Sequence, residues 1–300
     1  MTKLKFLSTE SDDSVIKRKM SDEQIDVPAS NKDLLNSTMR RVSWRILPLF
    51  CVYIFVGQSE KKNLAYASQG LKDSLGISDR QYGLVASSFV IAYAAFIIPN
   101  TLLAKRVGVK LILTAMMYGF GIVTLCTGFV TNYASLIILR VLLGITESGG
   151  IQIVLYHLSL FFGPERFTQA MSRSLNLGGG LSSICSGPIA AAILAASKGS
   201  SLASWRWLFI IESLPCFVIA TVVLLFLPDS PIRCGKLLRG DQHDCLIKYT
   251  TALQEEKSRI SSDLAEQSIS FWRVLRDPRV ILLGFTSFCW EFCGWGIMFW

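Results

Sequence analysis

Six times between residues 44 and 227 the sequence runs for about twenty residues on little but apolar side chains. At ~1.5 Å per residue, such a run is long enough to cross the ~30 Å hydrocarbon layer of a bilayer as a helix. The runs fall at 44–67, 82–103, 109–130, 134–162, 171–195 and 206–227, and a seventh covers 279–300. Only 17% of the residues are charged, against about a quarter in a soluble domain. Hydrocarbon offers no partner to a free backbone N–H or C=O, so a chain with this pattern is confined to membrane helices. The expectation is an all-α, multi-pass membrane protein.

The remaining segments divide the chain. Residues 1–43 are polar, mixed in charge and poor in aromatics, and read as a disordered cytosolic tail. Their first twenty lack the apolar core of a secretory signal. Residues 44–228 hold the six spans, and 229–278 form a polar loop in which Leu246, Leu253 and Ile260 recur every seven residues. That spacing predicts an amphipathic helix on the bundle or the membrane surface. Residues 279–300 read as a seventh span cut short. With the N-terminus in the cytosol, 23 of the 30 Lys and Arg fall on the cytosolic side, which sets the orientation. The same topology accounts for the net charge of +8 without a nucleic-acid partner. Of the eight cysteines, Cys51, Cys126, Cys185, Cys216, Cys289 and Cys293 lie in apolar runs and Cys234 and Cys245 in the cytosolic loop, so no disulfide is expected.

Charges inside the spans are the candidates for function. The fourth run contains "RVLLGITESGG", which places Arg140 and Glu147 two turns apart on one helix face, about 10 Å along the axis. A charge at mid-membrane costs at least ~2.5–3.5 kcal/mol on insertion scales and is turned toward a bundle interior or a wet cavity. Two readings fit: an internal ion pair locking this helix to a neighbour, or Arg140 meeting an anionic substrate while Glu147 takes up and releases a proton. In the first run the clean apolar stretch stops at Gly57. Either the helix ends there, or it continues through Ala67 with Glu60 and Lys61 facing a cavity and Asn63 one turn on; the length a span needs favours continuation. The fifth run, "SLNLGGGLSSICSGPIAAAIL", suits close packing through small residues, with Asn176 in reach of the cavity. Its triple glycine lacks the Lys-Ser/Thr of a phosphate loop. His157 reads as a packed histidine, and Cys234, His243 and Cys245 do not have a metal spacing. Glu212 and Glu291 are further intramembrane acids whose partners the sequence does not name. No cofactor, metal or enzymatic nucleophile is expected.

Several stretches taken together resemble the major facilitator superfamily, and within it the anion:cation symporter branch of allantoate-permease-like transporters. "PNTLLAKRVGVK" is similar to the superfamily's loop motif Gly-x-Leu-x-Asp-Arg-x-Gly-Arg-Lys, with Lys105 in place of the Asp and Val109 in place of the second Arg. "RVLLGITESGG", "SWRWLFIIESLP" with the following "LPDSP", and "SEKKNLAYAS" resemble that branch's motifs on helices 4, 6 and 1. The resemblance implies proton coupling at Glu60 and Glu147 and carboxylate binding at Lys61 and Arg140, with Glu60 standing where the family has Asp. The fifth run keeps only the Gly187-Pro188 of the drug-antiporter motif.

The resulting expectation is the N-terminal six-helix bundle of a major-facilitator-type transporter plus a partial seventh helix. Its function would be proton-coupled symport of a small organic anion by rocking of two bundles, with Lys61, Arg140, Asn63 and Asn176 binding substrate. Its partners would be the anion, a proton, the bilayer and, if the chain is a fragment, a missing C-terminal bundle. Resemblance makes the plasma membrane the default location. A non-transporting scaffold and a drug:proton antiporter are the alternatives.

Overall fold

The computed structural model describes residues 29–236, 238, 240–266 and 278–299. Its helices are α1 (Ala29–Tyr66), α2 (Ser68–Leu75), α3 (Asp79–Val107), α4 (Val109–Thr127), α5 (Tyr133–Glu147), α6 (Gly150–Phe161), α7 (Pro164–Ala196), α8 (Ser204–Phe226), α9 (Gly240–Glu266) and α10 (Pro278–Phe299). Among the described residues six helical segments are long and apolar enough to cross a membrane, with α5 and α6 forming one of them. Local chemistry marks their starts. Ser78 and Gln81 close a reciprocal capping box ahead of α3, and the Asn132 side chain accepts from the Ser135 N–H (2.8 Å) ahead of α5. α1 packs on α7, α4 on α8, and α3 on α5. Large apolar side chains such as Ile91, Ile98, Ile184 and Leu225 stay outside, as a surface solvated by lipid tails allows.

Two expectations about boundaries are corrected. Residues 29–43, assigned to a disordered tail, are the first turns of α1, while residues 1–28 lie outside the described part. The charges there had hidden an apolar stripe: Leu35, Met39, Val42 and Ile46 recur at helical spacing and are all buried. They share one core cluster with Leu246, Tyr249 and Leu253 of α9. The amphipathic loop helix therefore packs on the bundle, and Lys257 ties it down by donating to the Ser159 carbonyl at 2.6 Å.

The second correction concerns the fourth span, expected as one helix over 134–162. It breaks at Ser148–Gly149, where Gly149 takes φ +83°, a conformation in which a Cβ is strained. Asn100 of α3 holds the break: its Nδ2 donates to the carbonyls of Ile145 (2.8 Å) and Ser148 (3.1 Å) and to the Ser148 hydroxyl (2.7 Å). A neighbouring helix thus satisfies backbone groups that hydrocarbon would leave bare.

The apolar interior forms two clusters. One runs from Leu35 to Val56 on α1 and includes Leu143 and Cys216. The other includes Leu64, Leu136 and Phe209. On three helices the boundary between them is occupied by charge: Glu60 and Lys61 follow Val56 and precede Leu64, Arg140 lies between Leu136 and Leu143, and Glu212 lies between Phe209 and Cys216.

Candidate functional site

That boundary is the candidate site. α1 continues as a helix through Glu60, Lys61 and Asn63, so the longer of the two alternatives for the first span is the one adopted. All three residues are at most 8% exposed. Lys61 Nζ lies 2.7 Å from Glu147 Oε1, on the last turn of α5, and 5.0 Å above the ring of Tyr93 on α3. Gly57, one turn before Lys61, faces the same carboxylate: a Cβ there would stand in ordinary contact, 3.9 Å from Glu147 Oε1. Lys61, Glu147, Tyr93, Gly57 and Phe120 line one small cleft.

Arg140 is 3% exposed, with its guanidinium carbon 5.7 Å over the Phe209 ring. Among the described residues its Nε and Nη2 have no hydrogen-bond partner, although Tyr82 and Glu60 both interact with it electrostatically. It owes its position to the crossing of α5 and α3 one turn further on. There a Cβ on Gly144 would come within 2.6 Å of the Phe89 carbonyl, so only glycine permits the approach.

The Asn63 Nδ2 donates to Glu60 Oε2 at 3.2 Å. The Cys216 thiol of α8 is 3.7 Å from Glu60 Oε1, and the Glu212 carboxyl interacts with Asn63 from the preceding turn. The structure therefore gathers Glu60, Lys61, Asn63, Arg140 and Glu147. It pairs Glu147 with Lys61 across helices rather than with Arg140 along one. Asn63 addresses the acids. Asn176 is not brought to this group: it is exposed on α7 and bonds its own helix neighbour Ser172 at 2.9 Å. His157 is fully buried between Phe50 and Phe161, at ring distances of 5.5 and 5.0 Å, a packed histidine.

Sequence reasoning missed the partners Tyr93 and Cys216, the clamp Asn100 and the contact of Glu212 with Asn63. Asn100 carried a signal, a lone amide in an apolar run beside Pro99. The Trp and Arg of "SWRWLF" serve the opposite end of the bundle. The Trp205 indole donates to Ser74 (2.8 Å), and Arg206 donates to the Gly128 carbonyl (3.0 Å). Asp229 of "LPDSP" accepts the Lys110 N–H (3.1 Å) and so caps α4.

Helices of membrane-spanning length and apolarity packed around a buried group of opposite charges define a polytopic membrane protein with a charged interior. The chain belongs to the Major Facilitator Superfamily, whose model matches residues 49–300. It is 30% identical over 258 residues to a protein of Agrobacterium vitis named provisionally as a tartrate transporter, covering 86% of this chain and 58% of that one. It is 27% identical to a quinolone resistance transporter of Acinetobacter baumannii, covering 84% and 56%. The chain thus spans little more than half the length of these relatives. Among solved structures it resembles a bacterial homolog of the human lysosomal transporter Spinster, with a TM-score of 0.58, 18% identity and coverage of 63% and 44%.

Proposed function

We propose that this chain carries the coupling half of a proton-driven symporter for a small organic anion, of the allantoate-permease-like branch. The N-terminus would be cytosolic and the plasma membrane the site of action. The observation that carries the reading is the buried Lys61–Glu147 pair at 2.7 Å. While Glu147 is ionised it neutralises Lys61, and a substrate carboxylate gains little there. A proton on Glu147 dissolves the pair and withdraws that counter-charge from the ammonium in a low-dielectric site. An anion restores the balance, so proton and anion bind together or not at all. Arg140, with two guanidinium nitrogens lacking a partner among the described residues, supplies a second cation that a carboxylate can engage bidentately. The Agrobacterium relative's dicarboxylate suits two cations, and the motif resemblance of "RVLLGITESGG" supports the same roles.

The test is uptake into proteoliposomes carrying the full-length product, with labelled tartrate or allantoate and an imposed proton gradient. Arg140→Ala is expected to abolish saturable uptake, and Glu147→Gln to keep exchange while losing accumulation. Wild-type accumulation by both variants overturns the reading. The quinolone-resistance relative supports a second reading, drug:proton antiport, in which the same gradient drives a cationic drug in the opposite direction.

A further inference from the structure

The first helix is longer than a bilayer's core is thick. At ~1.5 Å per residue, the 38 residues of α1 overrun a ~30 Å hydrocarbon layer, so its first turns leave the lipid. Arg41, Trp44 and Arg45 lie on those turns and all three are exposed, Trp44 at 77%. Arginine and tryptophan are residues that settle at the headgroup level of a bilayer. α8 ends beside them: the Arg45 guanidinium carbon stands 6.0 Å over the ring of Phe226, the last residue of that helix.

Between α1 and the chain that follows α8 lies a pocket of about 390 Å³. Val42, Ile46, Pro228 and Leu238 give it buried apolar walls, and the two arginines and the indole are its exposed lining. Among the described residues neither guanidinium forms an ion pair; the two pairs there are Lys61–Glu147 and Lys72–Asp79. Two cations one turn apart, with no carboxylate between them, suit an anionic ligand, and the guanidinium fork matches a phosphate bidentately. A soluble phosphate would engage the arginines and leave the apolar walls to water. A phospholipid covers both, and its chains find an apolar surface in Leu225 and Phe226, exposed at the end of α8.

We propose that this pocket binds the phosphate of an anionic phospholipid through Arg41 and Arg45, with the lipid's chains laid on the end of α8. That the leaflet is the cytosolic one, where such lipids concentrate, rests on the orientation proposed above; the site itself rests on the pocket and its arginines. The test is photo-crosslinking of the full-length product in phosphatidylcholine nanodiscs that carry a photoactivatable phosphatidylinositol in both leaflets, so that orientation does not enter. Label is expected on peptides spanning residues 41–46 or 228–238. Unlabelled phosphatidylinositol is expected to displace it, and the same amount of added phosphatidylcholine or of soluble glycerophosphoinositol is not. Arg41→Gln and Arg45→Gln are each expected to lower labelling about tenfold, the loss of one charge-assisted contact. Arg40→Gln removes the same charge from an exposed neighbour outside the pocket and is expected to leave labelling unchanged. If a pocket variant does not fold, the competition on the wild type decides. Absence of label at these peptides overturns the proposal, as does equal displacement by phosphatidylcholine or an equal loss in Arg40→Gln. Displacement by glycerophosphoinositol assigns the pocket to soluble phosphates and overturns it too. Specific labelling in a protein whose N-terminus proves to lie outside sinks the orientation and leaves the site.

Discussion

Individual side chains in this protein are set by what hydrocarbon and packing deny them. Lys61 and Glu147 each occupy a position neither tolerates alone, and 2.7 Å of separation makes both tolerable. That both residues would be buried in company was legible in the sequence, because a charge inside an apolar run is turned toward a bundle interior or a wet cavity. Their pairing was not. Arg140 and Glu147 share a face by spacing, but which cation meets the acid depends on how α1 is rotated against α5, and spacing along one helix carries no such information. Outside the spans, burial acts on Cys234 in the short 3₁₀ turn Pro231–Lys236, pushing its thiol up to about 11. The thiolate is the reactive form. Native Cys234 is therefore expected to resist alkylation at neutral pH and to react only as pH climbs toward that value. The unfolded chain reacts near an ordinary thiol's ~8.5. Mass-spectrometric readout of the alkylated peptide against pH checks this; equal rates in the two states would refute it.

At the level of helices, hydropathy located all six spans, since length and apolarity are properties of the run itself, but not every start: α1 begins at Ala29 and α7 at Pro164, well before the apolar runs do. The break at Ser148–Gly149 escaped because its cause lies on another helix: Asn100 of α3 stabilises it with three hydrogen bonds. The first turns of α1 escaped for a different reason. Four buried apolar residues among many charges look like a solvated tail until a partner surface, here α9, is known. Replacing Asn100 by Leu removes the clamp and leaves the carbonyls of residues 145 and 148 without it. Each hydrogen bond contributes about 0.5–1.5 kcal/mol net, and about 0.6 in membranes. The variant is expected to lose on the order of 1–2 kcal/mol of stability, read as a lowered midpoint in detergent-mediated unfolding. An unchanged midpoint would mean the break holds itself.

Over the whole molecule, the distribution of Lys and Arg makes a claim about sidedness that the family likeness leaves open. Cysteine introduced at Lys198, in the exposed link between α7 and α8, should be labelled by an impermeant maleimide applied outside intact cells. Cysteine introduced at Ser258, exposed on α9, should be labelled only after permeabilisation. The reverse pattern would invert the topology. Both placements assume a background without the eight native cysteines.

The charged layer between the two apolar clusters also constrains how such a sequence can drift over generations. Within either cluster, one aliphatic residue can replace another with modest loss, and the change stands by itself. At positions 61 and 147 it does not, because loss of one partner strands the other's charge in oil. A lineage therefore exchanges the two together, through an intermediate that survives only if a proton or a bound anion supplies the missing charge. The contact that joins two helices in one molecule thereby also couples two codons in its descent.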